Sequence, residues 1–224
     1  MKFNKPNLRK LIADNKLVLL GDDHNTNQGR NWLKKELSRL AGKVNFPATE
    51  YVESDRQDLL NGSNESKLCD YLKIRYNEFP GFNPDSIISL VKHVQNMGID
   101  IIGVDMPESS FSDWKTTESQ QERTKHILGI LSKLVSTQTG LALLGADHVE
   151  KKTETVCGIL NKVGIKPLSV VFIGGKNWSI DTEEYWIRRE ELKAQKNNID
   201  MKLFAFKVNN NSLPCDWVIH FPQN

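Results

Sequence analysis

The chain alternates short apolar runs with longer stretches in which apolar residues recur every three or four positions. Such short runs predict buried strands, and the longer stretches predict amphipathic helices. The strand-like runs are Lys16 to Gly21, Val44 to Val52, Ile99 to Asp105, "GLALLG" and "PLSVVFIG", with weaker candidates in "KLFAF" and "DWVIH". Because strands and helices alternate at this spacing, we expect an α/β fold, a mostly parallel central sheet with helices on both faces.

The helical stretches carry their own start and stop signals. They are "NQGRNWLKKELSRLAG", "NPDSIISLVKHVQNMG", "ESQQERTKHILGILSKLV" and "VEKKTETVCGILNKVG", and residues 55–79 read as helix with a polar break at "NGSNES". Pro84 suits a first helical turn, and Gly98 and Gly164 suit helix ends. Pro47 lacks a backbone N–H group and lies within the second strand-like run, so we expect that strand to be irregular or at a sheet edge.

Two of the strand-like runs end in the same unusual way. "LVLLGDDHN" begins at Leu17 and "LALLGADHV" begins at Leu141, so Leu-Leu-Gly-x-Asp-His occurs twice, ending at His24 and at His148. An aspartate or histidine after a strand is often a turn or helix-cap residue, which is one interpretation of the repeated aspartates. Repetition of the whole unit after two apolar strands favours a functional site.

Four successive predicted strands end in ionisable side chains, and parallel strands bring these ends to one edge of the sheet. In such sheets, the ligand crevice lies beyond the carboxyl ends of the strands. Burial of charge is costly, so a core strand has no structural need for such an ending. The residues are Asp22, Asp23 and His24 after the first strand, Glu50 and Glu53 at the second, Asp105 and Glu108 at the third, and Asp147 and His148 at the fourth.

Histidines and carboxylates at one edge suit acid–base chemistry. A neutral imidazole can take a proton from water, and a neighbouring carboxylate fixes its tautomer. A second histidine or an arginine can stabilise the oxyanion that forms as water attacks a carbonyl group. Two histidines with a carboxylate are also the ligand set of an open catalytic zinc site. The residues alone leave both modes open.

Length and charge narrow the class of protein. The 224 residues are enough for one domain with a sizeable core, and we expect a single domain over residues 1–224. The 30 basic residues nearly balance the 28 acidic ones, and no basic stripe is present, so we expect no nucleic-acid partner.

The cysteines and the hydropathy of the chain predict where in the cell the protein is located. The three cysteines form no CxxC pair, which is typical of free thiols in a reducing compartment. The N-terminus lacks the apolar segment of a secretory signal, and no apolar run reaches the roughly 20 residues of a membrane helix. We therefore expect no transmembrane segment and a cytoplasmic location where the protein is made, with secretion by a non-classical route left open.

The two Gly-x-x-His motifs, each closing a strand, and a glutamate after the second strand resemble one diverse superfamily. It contains the Tiki proteases, TraB-like proteins, the erythromycin esterases (EreA) and the ChaN haem-binding proteins. It also contains toxin domains, among them the Ras/Rap1-specific endopeptidase domain of large bacterial toxins. The resemblance covers roughly Leu17 to Ile173 and implies an EreA/ChaN-like fold.

The resemblance maps residue by residue onto this chain. "LLGDDH" resembles the first motif, usually Gly-Glu-x-His, with Asp22 in the place of the glutamate. "VNFPATEYV" resembles the second strand and gives Glu50, with Glu53 as the alternative. "QERTKHI" resembles the helix that carries an arginine, which gives Arg123, and "LALLGADHV" gives His148.

The resemblance implies a hydrolase that cleaves an ester, amide or peptide bond, with a toxin- or effector-type protease as one form. His24 would be the general base, Glu50 and Asp22 would orient it or activate the water, and His148 and Arg123 would bind the carbonyl oxygen. Family members differ in metal dependence, so the cofactor is either a divalent ion on His24, Glu50 and His148 or none. The alternative is a non-enzymatic protein that binds haem or a protein partner on the same scaffold.

Overall fold

The computed structural model describes residues 3–4, 6–40, 44–79, 81–110, 116–174, 204–207 and 215–222, and their strands form one sheet. The strands are β1 (Phe3–Asn4), β2 (Leu17–Asp22), β3 (Phe46–Glu53), β4 (Ile102–Asp105), β5 (Gly140–Gly145), β6 (Leu168–Gly174), β7 (Phe204–Lys207) and β8 (Trp217–Phe221). Their order is β1-β7-β8-β6-β2-β5-β3-β4. The six strands from β8 to β4 are parallel, whereas β7 is antiparallel to both of its neighbours. The predicted mostly parallel sheet is confirmed.

The helices largely follow the predicted stretches. They are α1 (Leu8–Ala13), α2 (Gln28–Leu37), α3 (Gln57–Asn61), α4 (Glu65–Arg75), α5 (Pro84–Asn96), α6 (Thr117–Thr137), α7 (Ala146–Val149) and α8 (Val156–Lys162), with a 3₁₀ turn at Glu108–Ser110. The break between α3 and α4 falls at the predicted polar segment. Gly98 and Gly164 follow α5 and α8 with φ of 71° and 85°, a left-handed conformation that favours glycine and ends a helix.

The predicted N-terminal boundary of α8 is wrong. The sequence predicted a helix from "VEKKTE" onward, but α8 begins only at Val156. The hydroxyl group of Thr155 accepts a hydrogen bond from the backbone N–H of Gly158 at 3.1 Å, so Thr155 is the N-cap. The cap residue starts the helix there because it satisfies a donor that the first turn leaves free.

Helices cover both faces of the sheet, as predicted. On one face Val18 and Leu20 of β2 pack in a core with α1 to α5, and on the other Leu17 and Leu19 pack with α6 to α8. Because successive side chains of a strand point to opposite faces, a continuous apolar run serves both cores. Each fully buried leucine contributes about 1.5–3 kcal/mol of burial free energy, so this double burial fixes β2 firmly.

The strand that contains Pro47 is irregular, as predicted, but it is not at the edge of the sheet. β3 lies between β5 and β4. Pro47 is the second residue of β3, and pairing with β4 begins only at Ala48. The register against β4 then shifts between Thr49 and Glu53. The proline is tolerated inside the sheet because it lies where one neighbouring strand has not yet started.

The helices also bear on membrane association. Within the described ranges, none of them combines the length and the hydropathy that crossing a bilayer requires.

Candidate active site

The two repeated motifs lie side by side at the carboxyl edge of the sheet. β2 and β5 are adjacent and parallel, with Asp22 opposite Gly145, so the repeats are offset by one residue. A Cβ atom on Gly21 would collide with the side chain of Val149 and lie 3.0 Å from Cα of Ala146. The glycine of the first motif therefore lets α7, the start of the second motif, pack closely against β2.

Glu50 lies between the two histidines. Its Oε1 is 3.4 Å from Nε2 of His24, and its Oε2 is 3.5 Å from Nε2 of His148. The glutamate side chain is only 1% exposed, and its Oε1 accepts a hydrogen bond of 2.6 Å from the backbone N–H of Gly145. The structure thus brings together both histidines and the glutamate that the sequence favoured.

Glu53, the alternative to Glu50, lies in a different set of contacts. It forms ion pairs of 2.8 Å with Arg75 and with Arg56, and it accepts a hydrogen bond of 2.7 Å from the backbone N–H of Glu108. Its carboxylate is therefore bound to arginines rather than to the histidines, which leaves Glu50 as the glutamate of the cluster.

Arg123 reaches the cluster through a strong bidentate pair with Asp105. Its Nε and Nη2 donate to the two oxygens of Asp105 at 2.6 and 2.9 Å, and Nη2 lies 3.8 Å from Oε2 of Glu50. Arg75, which the sequence analysis did not select, donates to the same carboxylate at 2.6 Å. The buried Asp105 thus holds two guanidinium groups and fixes Arg123 beside Glu50.

The Tyr51 hydroxyl links Asp22 to the ring of His24. The Tyr51 hydroxyl donates to Asp22, accepts from Nη1 of Arg30 at 2.8 Å, and lies 3.0 Å from Nδ1 of His24. Arg30 also pairs with Asp22 at 3.2 Å. Sequence reasoning missed Tyr51 and Arg30, although a tyrosine directly after the candidate glutamate was a signal that could have raised the question.

Aromatic side chains pack against the ring of His24. The centroid of the His24 ring lies 5.2 Å from that of Tyr76 and 5.0 Å from that of Phe79, and the Phe79 ring is nearly perpendicular to the imidazole. The Tyr76 hydroxyl turns elsewhere and donates to the backbone carbonyl of Glu50 at 3.3 Å. One side of the cluster is therefore apolar, and the other side, formed by Glu50, His148 and Arg123, is charged and polar.

Burial and charge act in opposite directions on the two central groups. Burial alone would raise the pKa of Glu50, but His148, Arg123 and His24 together lower it below its ordinary value. Burial lowers the pKa of His148, and Arg123 adds to this effect while Glu50 opposes it. At neutral pH, the glutamate is consequently ionised and His148 is neutral.

The two repeated aspartates have different roles. Asp23 forms a turn, as expected, since its Oδ1 accepts from the backbone N–H of Asn25 at 2.9 Å. Asp147 is exposed within α7, and the N-cap of that helix is Gly145, so the capping interpretation of Asp147 is wrong.

The predicted metal set does not fit this geometry. The described ranges hold no group of three or more histidine, cysteine, aspartate or glutamate residues arranged to hold a metal ion. Nε2 of His24 and Nε2 of His148 each face a different oxygen of Glu50.

Comparison with known proteins rests on structure, because no protein-family model and no curated protein matches the sequence. The type III effector HopBA1 is similar with a TM-score of 0.61 and 14% identity, over 100% of this chain and 97% of HopBA1. The C-terminal region of Pasteurella multocida toxin, described as having a thiol-protease like catalytic triad, has a TM-score of 0.51 and 14% identity. That match covers 64% of this chain and 20% of the toxin chain.

A third similar structure is haem-bound ChaN of Campylobacter jejuni, with a TM-score of 0.48 and 15% identity over 96% of this chain and 92% of ChaN. At identities this low, structural similarity shows a shared fold only. The fold is shown by HopBA1 and the Pasteurella toxin region, which have the two higher TM-scores. The strand order, the helices on both faces and the likenesses to HopBA1 and to the Pasteurella toxin region agree with the fold that the sequence resemblance implies. The chain has the α/β fold of these two structures.

Proposed function

We propose that this protein is a hydrolase. A water molecule activated beside Glu50 cleaves an ester or amide bond of the substrate. One observation carries the proposal. Oε2 of Glu50 is buried and has no hydrogen-bond partner among the described residues, yet it lies 3.5 Å from His148 and 3.8 Å from Arg123. Contacts of this length are too long for good hydrogen bonds and suit a bridging water or substrate oxygen.

His24 is the proton acceptor in this proposal. Its Nδ1 faces the Tyr51 hydroxyl and its Nε2 faces Glu50, so Nε2 is the nitrogen that can take a proton from the attacking water. The adjacent carboxylate stabilises the imidazolium that this transfer forms. His24 then gives the proton to the leaving alcohol or amine, and the products are that group and a carboxylic acid.

His148 and Arg123 bind the carbonyl oxygen of the substrate. As the water oxygen attacks the carbonyl carbon, the electron pair of the double bond moves to that oxygen. A neutral histidine beside a carboxylate presents an N–H donor, and the guanidinium of Arg123 remains charged at all working pH values. Asp105 holds Arg123 in place before the substrate arrives, so little reorganisation is needed during the reaction.

Cys157 and Cys215 are poorly suited to act as nucleophiles. Burial raises the pKa of Cys157 to about 11 and raises that of Cys215 further. Both are therefore protonated and weakly nucleophilic at neutral pH. The proposed mechanism therefore differs from the thiol-protease like triad described for the Pasteurella toxin region.

The proposal is tested with purified wild type, Glu50→Gln, His24→Ala and a matched control, His93→Ala. His93 of α5 is half-buried, and its Nε2 lies 2.9 Å from Oγ of the exposed Ser38, which follows α2. Turnover of chromogenic esters and of fluorogenic peptides is measured beside circular dichroism. We expect the two site variants to lose at least about 100-fold in kcat/KM while His93→Ala keeps it. Equal turnover in all four proteins, or none in wild type, would contradict the proposal.

We further propose a protein substrate of the toxin or effector type. The support is the likeness to HopBA1, a type III effector, over nearly the full length of both chains. Eukaryotic cell lysate is incubated with wild type or Glu50→Gln, and new protein N-termini are labelled and sequenced. A cleavage site that appears only with wild type supports this extension, and identical termini in both samples reject it.

Haem binding, the alternative predicted from the resemblance, stays a prediction with less support from the site. An axial histidine ligand needs a ring nitrogen that can face the iron. In His24, Nδ1 lies 3.0 Å from Tyr51 and Nε2 lies 3.4 Å from Glu50. A Soret band on addition of haem that is lost in His24→Ala would favour this alternative.

A further inference from the structure

We propose that Tyr51 is a positioning residue whose hydroxyl group fixes His24 in the tautomer that carries its proton on Nδ1. Nε2, beside Glu50, then bears the lone pair. The catalytic consequence rests on the proposed function, whereas the tautomer itself does not. The direction in which the Tyr51 hydroxyl donates its one hydrogen determines this tautomer.

A tyrosine hydroxyl has one hydrogen and two lone pairs on its oxygen. Its hydrogen goes to Asp22, which pairs with Arg30 and accepts it. Arg30 can only donate, and its Nη1 takes one lone pair of the hydroxyl at 2.8 Å. The remaining lone pair faces Nδ1 of His24 at 3.0 Å, so that nitrogen must be the donor.

The hydroxyl is held firmly in this orientation. The side chains of Tyr51 and Arg30 are both 0% exposed. Arg30 is fixed in turn by donation to the backbone oxygen of Thr26 and, at 2.8 Å, to Oδ1 of Asn27. Burial raises the pKa of Tyr51 well above its ordinary value, so the hydroxyl keeps its hydrogen at any working pH.

The fixed tautomer sets what His24 can do. With the proton on Nδ1, the Nε2 atom at 3.4 Å from Oε1 of Glu50 is an acceptor in the neutral ring. A water that donates to both atoms loses its proton to Nε2. The opposite tautomer would place an N–H group there and leave no base facing Glu50. Asp22 therefore orients the His24 ring through the Tyr51 hydroxyl.

The test compares Tyr51→Phe with the matched control Tyr76→Phe. Both changes remove one buried hydroxyl from a ring that packs against His24, but the Tyr76 hydroxyl bonds to the backbone of Glu50 and not to the imidazole. The readout is the pair of His24 ring ¹⁵N chemical shifts from long-range ¹H–¹⁵N spectra. We expect wild type and Tyr76→Phe to show a protonated Nδ1, and Tyr51→Phe to show a loss of that pattern.

Kinetics supply a second readout. Tyr51→Phe should lower kcat by about 10- to 100-fold with little change in KM, since an orienting partner of a site histidine is lost and substrate contacts remain. Tyr76→Phe should change kcat much less. A merely structural role of Tyr51 would lower the amount of folded protein and leave the kcat of the folded fraction unchanged.

Three results overturn the inference: wild-type shifts that show the proton on Nε2, unchanged shifts in Tyr51→Phe, or an equal change in Tyr76→Phe. If Tyr51→Phe does not fold, 3,5-difluorotyrosine is placed at position 51, which weakens the hydroxyl oxygen as an acceptor without removing it. The Nδ1 resonance should then move, and an unmoved resonance overturns the inference. A wild type with the expected tautomer but no hydrolase activity would reject the proposed function alone.

Discussion

The backbone N–H of Gly145 donates to Oε1 of Glu50 at 2.6 Å, and this bond ties the second repeated motif to the strand that carries the glutamate. It also makes the surroundings of the two glutamate oxygens different. Oε1 accepts this backbone bond and faces His24, whereas Oε2 has no hydrogen-bond partner in the described part of the chain. The glycine of the second motif is thus part of the geometry around the site.

Replacement of Gly145 by alanine should displace Glu50. A Cβ atom there would lie 2.9 Å from Oε1 of Glu50 and 3.6 Å from Nε2 of His24. The backbone of Gly145, with φ of −57° and ψ of 148°, suits alanine, so the cost is a side-chain collision. We expect a loss of about 1–3 kcal/mol in unfolding free energy and at least about a tenfold loss in kcat/KM. Urea unfolding and ester hydrolysis measure both.

Gly129→Ala is the control for Gly145→Ala. Gly129 is exposed on α6, and a Cβ atom there would meet nothing within 4 Å. Alanine should stabilise the helix by about 0.5–1 kcal/mol and leave activity unchanged. If both variants keep full activity, the contact between Gly145 and Glu50 does not set the position of the carboxylate.

His148 should make the stability of the protein depend on pH below about 6.5, the ordinary pKa of a histidine. Its pKa is lowered in the folded state, so between that value and about 6.5 the unfolded chain binds a proton that the folded chain does not. Unfolding free energy therefore rises with pH in this window and falls on acidification from pH 7 to 5. The slope from this group is at most about 1.4 kcal/mol per pH unit.

His148→Asn should reduce that slope. Urea unfolding between pH 5 and 7.5 measures the slope in wild type and in the variant. Glu50 contributes little to the slope in this range, because its pKa is about 4.3 in the unfolded chain and lower in the folded protein. Identical slopes in wild type and His148→Asn would mean that burial does not hold His148 neutral.

The fold was predictable because hydrophobic periodicity records which faces are buried. The side chains of β2 are buried in two cores, one on each face of the sheet, and its sequence is therefore a continuous apolar run. The place of β3 was not predictable from Pro47, because the proline is tolerated where β4 has not yet begun to pair. The late start of α8 depends on one hydroxyl at Thr155, a local choice that apolar spacing does not reveal.

The clustering of His24 and His148 was predictable because their motifs repeat, whereas the buried polar groups beside them were not. Tyr51 in an apolar strand looks like a core residue. Arg30 in a helix looks like a surface residue, yet it is fully buried on Asp22. Such a buried charge depends on its partners, which are brought together only by the tertiary structure.

Thiol reagents should not inhibit the proposed hydrolase activity. Burial raises the pKa of Cys157 to about 11, so little thiolate is present at neutral pH, and Cys215 is buried as well. Iodoacetamide treatment at pH 7 should leave turnover unchanged, and Cys157→Ala should retain activity. Stoichiometric inactivation by the reagent, with labelling of one cysteine, would show that a thiol takes part.

Arg123→Lys should lose activity although it keeps the positive charge. Arg123 uses two nitrogens in a fixed fork on Asp105, at 2.6 and 2.9 Å, and a lysine ammonium cannot reproduce this bidentate geometry. The side chain would then no longer be held 3.8 Å from Oε2 of Glu50. We expect about a 10- to 1000-fold loss in kcat with a folded protein, because one preorganised donor to the oxyanion is displaced. Arg39→Lys, whose side chain is largely exposed in a pair with Glu36, is the matched control and should keep full activity. Full activity in Arg123→Lys would mean that charge alone is sufficient at this position, and that the grip of Asp105 serves the fold and not the reaction.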